Sequence, residues 1–149
     1  MCIATTVASY AQEPSKVEVK VNELVKRYEG VKGVECMTVA KGGGLELIKM
    51  LFNKQFGREF MKGVTSITII NYAEATNEVC LALHQELDAI ASHLEEFKLN
   101  KNENAAEYSY ARSLATVSTD GTISDFITAF ENNEAKIMMY MAGKITVVQ

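Results

Sequence analysis

Three side chains that can bind a metal ion recur at helical spacing in the middle of the chain. Cys80, His84 and Asp88 occupy positions i, i+4 and i+8, so a helix would place them on one face. Thiolate, imidazole and carboxylate all bind zinc, and the set therefore predicts a metal or small-ligand carrier. The spacing matches no recurring zinc site, and a stripe flanking the core, with His84 hydrogen-bonded at its edge, accounts for the same residues.

A cluster of methionines near the end of the chain raises the possibility of copper chemistry. Thioether sulfur favours Cu(I), and Met138, Met139 and Met141 lie within four positions of one another. Only Met139 and Met141 would share one face of a strand. Core packing by an adaptable side chain accounts for the cluster better.

Signatures of catalysis are absent from the sequence. The segment Lys41-Gly42-Gly43-Gly44 precedes a helical pattern as phosphate loops do, but it lacks the Gly-Lys-Ser/Thr ending. There is no Gly-x-Ser-x-Gly elbow, and a cysteine nucleophile would need a base where only two histidines exist. The sequence therefore predicts no enzyme and no cofactor.

Apolar stripes at helical spacing predict three helices that would position these side chains. They cover residues 17–28, 45–60 and 79–94, with Gly57 as a weak point in the second. Pro14-Ser15 marks the start of the first helix, and Thr76 and Asn77 can cap the third.

The C-terminal third predicts an antiparallel meander. Three runs, 107–112, 122–131 and 136–142, are separated by turns at Thr119-Asp120-Gly121 and Asn132-Asn133. The middle run also fits a helix, because Ile123, Phe126, Ile127 and Phe130 fall at i, i+3, i+4 and i+7. Its flanking turns and its Ile, Phe and Thr content favour a strand.

Two further strands, 34–40 and 65–72, precede the meander, and apolar residues on both faces of the second predict an interior position. The same pattern in the last run of the meander predicts a central strand, or one covered by a partner chain. Right-handed strand–helix–strand crossovers would then give an α+β fold, with a mixed sheet ending in the meander and about three helices mainly on one face.

Composition indicates one domain and excludes several classes of partner. The chain has 149 residues, 48% of them hydrophobic, and a net charge of −4, with scattered basic residues. A nucleic-acid or anionic-membrane surface needs clustered lysine and arginine, so neither is expected. No run approaches the ~20 apolar residues of a membrane span. Cys36 and Cys80 lie in apolar contexts and are expected to be buried and unpaired.

The first residues predict export. Residues 1–11 carry no charge, and Ser9 and Ala11 place small side chains at the −3 and −1 positions of a signal-peptidase site. We interpret residues 1–13 as the remnant of a signal peptide and residues 14–149 as a single domain. An apolar N-terminal strand or a disordered leader is the alternative.

Several short phrases resemble the exported bacterial proteins of domain-of-unknown-function family 4252. They are Tyr28-Glu29-Gly30-Val31-Lys32-Gly33-Val34, Asp120-Gly121-Thr122-Ile123-Ser124-Asp125-Phe126 and Met141-Ala142-Gly143-Lys144-Ile145. The resemblance implies a compact α+β domain in the envelope of Gram-negative bacteria, sometimes encoded near extracytoplasmic sigma-factor systems. It implies no catalytic residues, and the Gly42-Gly43-Gly44 loop departs from the family pattern.

These patterns lead to one main functional hypothesis. The chain is expected to be a periplasmic or envelope module, not an enzyme, that binds another protein or forms a homo-oligomer. Aromatic and Met-rich surface is typical of interfaces, so the predicted contact residues are Tyr108, Tyr110, Met138 and Tyr140. The alternative is the carrier centred on Cys80, His84 and Asp88.

Overall fold

A computed structural model describes residues 15–40, 42–97 and 108–146. Its helices are α1 (Lys16–Tyr28), α2 (Gly43–Phe56), α3 (Arg58–Lys62) and α4 (Asn77–Ala91). Its strands are β1 (Glu35–Ala40), β2 (Val64–Asn71), β3 (Glu95–Phe97), β4 (Tyr110–Val117), β5 (Ile123–Glu131) and β6 (Lys136–Gly143). The predicted signal-peptide remnant, residues 1–13, lies outside the described residues.

The six strands form one sheet in the order β1-β2-β6-β5-β4-β3. The α+β class and the meander β4-β5-β6 are confirmed, and β2 and β6 are interior strands as predicted. Every strand pair in the described sheet is antiparallel, which corrects the expected mixed sheet. β1 ends at Ala40, which pairs with Ser66 near the start of β2. Between these two strands, α2 ends and α3 begins at Gly57, and the chain returns to the end of the sheet that it left.

Helices cover both faces of the sheet, whereas the sequence predicted them mainly on one. On one face α1 and α4 pack against Met138 and Tyr140 of β6. On the other face α2 and α3 pack against Met139 and Met141 of the same strand. Strand side chains alternate between faces, and β6 is apolar on both, so each face needs its own cover.

The residues of β5 with helical spacing belong to a strand that contains a bulge. The register between β4 and β5 shifts between Leu114 and Thr116, and Asp125 has a left-handed backbone with φ of 52°. A bulge adds one residue, so Ile123 and Phe126 face the same core cluster although they lie three positions apart. The strand prediction for 122–131 is therefore confirmed, and the bulge explains why the run imitates a helix.

The start signals of two helices act as predicted. The Ser15 hydroxyl accepts a hydrogen bond of 3.0 Å from the amide of Glu18, and the Thr76 hydroxyl accepts one of 3.3 Å from the amide of Val79. These contacts satisfy amides that have no partner within the first turn. Of the helices in the described ranges, none is both long and apolar enough to cross a bilayer.

Candidate functional site

The three predicted metal ligands lie on α4, and each contacts a different residue. The Cys80 thiol is buried and accepts a hydrogen bond of 3.7 Å from the Lys136 ammonium. His84 Nε2 pairs with the carboxylate of Glu131. Asp88 forms an ion pair of 2.6 Å with Arg112.

These residues do not assemble into a metal site. Within residues 15–40, 42–97 and 108–146, no three His, Cys, Asp or Glu side chains have an arrangement that could hold a metal ion. Eight residues of helix extend about 12 Å, so Cys80 and Asp88 lie far apart along α4. Zinc ligands lie about 2.0–2.3 Å from one ion. Spacing predicted the shared face correctly but could not bring the three side chains together.

A largely buried polar cluster that the sequence did not predict includes His84. We call it the Glu131 cluster: Tyr72, His84, Tyr110 and Glu131. Glu131 is only 7% exposed, and its carboxylate accepts a hydrogen bond of 2.7 Å from the Tyr72 hydroxyl as well as the contact from His84. The His84 ring stacks on Tyr110 with a centroid distance of 4.0 Å. The sequence signal was an acidic residue at the end of a strand rich in Ile and Phe.

Charged side chains border this cluster on the solvent side. Arg112 contacts Asp88 at 2.6 Å and Glu96 at 2.8 Å, so one guanidinium joins α4, β3 and β4. Hydrogen bonding to Arg112 lowers the pKa of the Glu96 carboxyl, and the same contact raises the pKa of Arg112. The cluster is therefore closed at its outer edge by an ion-pair network.

Burial dominates the electrostatics inside the cluster. Desolvation raises the pKa of Tyr72 far above its ordinary value, and the hydrogen bond to Glu131 raises it further. Desolvation also raises the pKa of Tyr110, against an opposing effect of Arg112. Tyr72 therefore donates a hydrogen bond as a neutral hydroxyl to the Glu131 carboxylate, whose two partners are Tyr72 and His84.

His84 and the Glu131 carboxylate form a pair of the kind that orients an imidazole. Among the described hydrogen bonds, none joins His84 to Cys80 or to a serine or threonine hydroxyl. The contacts instead hold α4 against the ends of β2 and β5.

A second buried carboxylate fixes α1 to the meander. Asp125, at the β5 bulge, accepts hydrogen bonds of 2.6 Å from Ser15, 2.6 Å from Tyr140 and 3.3 Å from Thr116. Ser15 is the residue that caps α1, so one chain of contacts joins the start of that helix to β4, β5 and β6. The three hydrogen bonds to Asp125 therefore hold α1 and the three strands together.

Two of the four predicted interface residues are core residues. Met138 is 4% exposed and Tyr140 is 3% exposed, because α1 and α4 cover their face of the sheet. Tyr108 and Tyr110 are half-buried; Tyr108 packs edge-to-face on Phe130 at a centroid distance of 5.6 Å. For Met138 and Tyr140 the predicted contact surface is therefore wrong: an apolar sheet face needs a cover, and here the protein's own helices provide it. For Tyr108 and Tyr110 it stays a prediction.

The methionines and the cavity also belong to the core. Met139 and Met141 are buried beneath α2 and α3, which agrees with packing rather than copper binding. Between α1, α4 and the sheet lies an apolar cavity of about 10 Å³, lined in part by Val21, Ile90 and Ile127. This volume is at the lower limit for one water molecule, so the cavity holds no organic ligand.

The largest exposed apolar side chains of α2 form a single stripe. Leu47, Met50 and Leu51 are 60%, 69% and 70% exposed, and we call them the α2 outer face. Leu45 points to the opposite side and is 4% exposed, and Ile48 and Phe52 pack beside it against the core. The helix is thus apolar on the side toward the sheet and on the side toward solvent.

An exposed sheet edge lies near this helix. β1 is an edge strand of the sheet, and Met37 on it is 48% exposed. Met37 pairs across the sheet with Ile69, which places it on the same face as α2.

Comparison with known proteins adds nothing to this geometry: no protein-family model, curated protein or solved structure matches the chain.

Proposed function

We propose that the chain is a non-enzymatic interaction module of the cell envelope, and that the α2 outer face is its contact surface. One observation carries this proposal: Leu47, Met50 and Leu51 are 60–70% exposed on a helix whose opposite side is buried. A helix that is apolar all round is typical of a buried position. The outer face therefore has the composition of a surface that another molecule covers.

Burial of the α2 outer face by a partner would be energetically favourable. Removing a large apolar side chain from water contributes about 1.5–3 kcal/mol, so the three residues offer several kcal/mol to a binding partner. Contiguous exposed apolar patches of this kind mark interaction sites in soluble proteins. Surface Leu81 on α4 is 61% exposed but has no exposed apolar neighbour one helical turn away, and it serves as a matched control.

The edge strand β1 adds a second element to the proposed surface. An edge strand presents unpaired backbone groups, and proteins commonly protect such edges with charge, proline or a covering element. β1 (Glu35–Ala40) has one acidic residue and no proline. Its position beside α2 gives a partner both apolar side chains and backbone hydrogen bonds.

The envelope setting rests on the uncharged segment 1–11 and on the resemblance described above, which stays a prediction. Cell fractionation with N-terminal sequencing tests it. We expect the protein in the envelope fraction, with a mature chain that begins at Gln12. Recovery of the chain in the cytoplasm with Met1 or the residue after it as its first residue would remove this part of the proposal.

The contact surface is tested by photo-crosslinking in cells of the native host. A photoreactive phenylalanine analogue replaces Leu51 in one variant and Leu81 in the control. We expect an ultraviolet-dependent protein adduct at position 51 and none at position 81. The absence of a protein adduct at position 51 would refute the proposed function.

A further inference from the structure

We propose that Cys80 and Lys136 form a peroxide-sensitive switch, in which oxidation of the thiol ends in a reversible sulfur–nitrogen bond between the two side chains. This bond joins α4 to β6. The inference goes beyond the proposed contact surface and does not depend on it, because neither residue belongs to the α2 outer face. It is drawn from the distance between the two reactive atoms, from the elements that hold them and from the contacts of the lysine ammonium.

The two reactive atoms are in contact. Lys136 Nζ donates a hydrogen bond of 3.7 Å to Cys80 Sγ, although the two residues are 56 positions apart. Cys80 lies near the start of α4, and its amide donates to the carbonyl of Thr76 at 3.0 Å. Lys136 begins β6, and its carbonyl accepts a hydrogen bond of 2.9 Å from the amide of Tyr72. Secondary structure therefore holds both backbones, and only the flexible lysine side chain has to move for a bond to form.

The Lys136 ammonium is directed at the thiol and not at an acid. Glu131 lies opposite Lys136 in the register of β5 and β6, but its carboxylate contacts Tyr72 and His84. Among the ion pairs of the described residues, none includes Lys136. Its amine is therefore available to react with an oxidised sulfur beside it.

Hydrogen peroxide is the oxidant of the proposed reaction. The thiolate of Cys80 attacks one peroxide oxygen, the O–O bond breaks, and a sulfenic acid and a hydroxide form. The hydroxide takes a proton from the Lys136 ammonium and becomes water. The neutral amine then attacks the sulfur, and the sulfenic hydroxyl leaves with an amine proton as a second water, as in condensation with a backbone nitrogen. One thiol, one amine and one peroxide thus give one sulfenamide and two waters, and the two electrons lost by sulfur reduce the peroxide.

The bond has a structural consequence because it ties the start of α4 to the start of β6. Closing a long loop restricts the unfolded chain, as a disulfide does, and so stabilises the fold. Sulfur held in a sulfenamide is also protected from oxidation to the irreversible sulfinic acid. Cys36, on the edge strand β1, is half-buried, and no described hydrogen bond joins it to a lysine, so it provides an internal comparison.

Peptide mapping of the full chain by mass spectrometry tests the inference. The protein is treated with hydrogen peroxide, free thiols are alkylated, and trypsin is added without a reductant. We expect the Cys80 peptide joined to the Lys136 peptide, lighter than the two separate peptides by two hydrogens and uncleaved after Lys136. Dithiothreitol should release both peptides with an unmodified thiol. A Cys80 that forms a disulfide with Cys36, or that reaches sulfinic acid without a link, overturns the inference.

Two lysine variants test the assignment of the amine. Lys136→Arg keeps the positive charge but removes the amine that condenses, so the link should be lost. Lys62→Arg changes an exposed lysine on α3 and should keep the link. Circular dichroism establishes that both variants fold. A sulfenamide between Cys80 and another lysine in Lys136→Arg, at the wild-type yield, would overturn the role of Lys136.

Thermal unfolding measures the effect of the link on the fold. Peroxide should raise the Tm of the wild type by at least about 5 °C, and dithiothreitol should reverse the rise. Lys136→Arg should show no rise. A wild type in which the link is mapped but the Tm does not increase would overturn the stabilising role of the switch.

Discussion

Tyr72 donates a hydrogen bond of 2.7 Å to the buried carboxylate of Glu131, and this contact joins the residue after β2 to the last residue of β5. His84 on α4 contacts the same carboxylate oxygen. Glu131 therefore has one partner from the sheet and one from a helix. Burial of the Glu131 carboxylate costs desolvation free energy. Loss of this carboxylate would also cost free energy, because Tyr72 and His84 would be left without a hydrogen-bonding partner.

Removing the carboxylate should destabilise the protein more than removing the tyrosine hydroxyl. We expect Glu131→Ala to lower the free energy of unfolding by about 3–4 kcal/mol, since a buried tyrosine hydroxyl and a half-buried imidazole lose their partner. Tyr72→Phe should cost about 1–2 kcal/mol. Urea denaturation gives both values, and Glu134→Ala at an exposed position is the control. A Glu131→Ala variant as stable as this control would contradict the interpretation.

Alkaline pH should destabilise the protein through its buried tyrosines. Burial first, and then hydrogen bonds to carboxylates, raise the pKa of Tyr72 and Tyr140 above the ordinary value near 10. The unfolded chain loses these protons first, so their stabilising contribution is complete below pH 10 and decreases as pH rises toward the folded-state pKa. Each tyrosine should contribute a slope of up to about 1.4 kcal/mol per pH unit above pH 10.

Single variants assign that slope. The free energy of unfolding measured by urea denaturation between pH 9 and 11 should decline less steeply in Tyr72→Phe and in Tyr140→Phe than in the wild type. Tyr108→Phe changes neither hydrogen bond and should keep the wild-type slope. Equal slopes in all four proteins would show that neither buried tyrosine is responsible.

The bulge residue Asp125 should tolerate asparagine better than alanine. Asp125 combines a left-handed φ of 52° with hydrogen bonds from Ser15, Tyr140 and Thr116. Alanine loses all three contacts and adds about 1 kcal/mol of backbone strain, for a total near 3–4 kcal/mol. Asparagine adopts this backbone more readily and keeps one acceptor, so we expect about half that cost. Thermal or urea unfolding distinguishes the two, and equal stability of the variants would reject the role given to this side chain.

Gly63 should be intolerant of any side chain. A Cβ added at Gly63 would overlap the backbone carbonyl of Lys144, whereas Gly30 has open space at the corresponding position. Backbone atoms cannot yield as a flexible side chain would, so Gly63→Ala should cost at least about 3 kcal/mol or prevent folding. Gly30→Ala is the matched control and should stay within about 0.5 kcal/mol of the wild type. A Gly63→Ala variant with wild-type stability would contradict the close approach of these two segments.

Periodicity predicted the elements that bury a continuous stripe. The predicted stripe of α4 ran from Val79 to Leu94, and Leu83 and Leu87 in it are fully buried, although the helix itself ends at Ala91. The apolar residues on both faces of β6 predicted its central position. β3 (Glu95–Phe97) carried no such signal, because three residues with two glutamates show neither alternation nor an apolar run.

Partners were harder to predict than elements. Met138 and Tyr140 showed that one face of β6 needs a cover, but a pattern does not distinguish the protein's own helices from another chain. The α2 outer face lay in the same run as its core-facing stripe, so the spacing of Leu45 and Ile48 dominated the prediction. For Cys80 and Asp88, angular position on a helix was predictable, but the distance along its axis decided whether one ion could reach both.

The place of β6 between β2 and β5 has a consequence for the order of assembly. The first half of the sheet, β1 and β2, meets the hairpin of β4 and β5 only through a strand that ends at Gly143. The sheet therefore cannot close until β6 is available to pair with both β2 and β5. Until then Ile67 and Ile70 of β2 lack the neighbour that shields them, which makes the incomplete chain a natural client for chaperones.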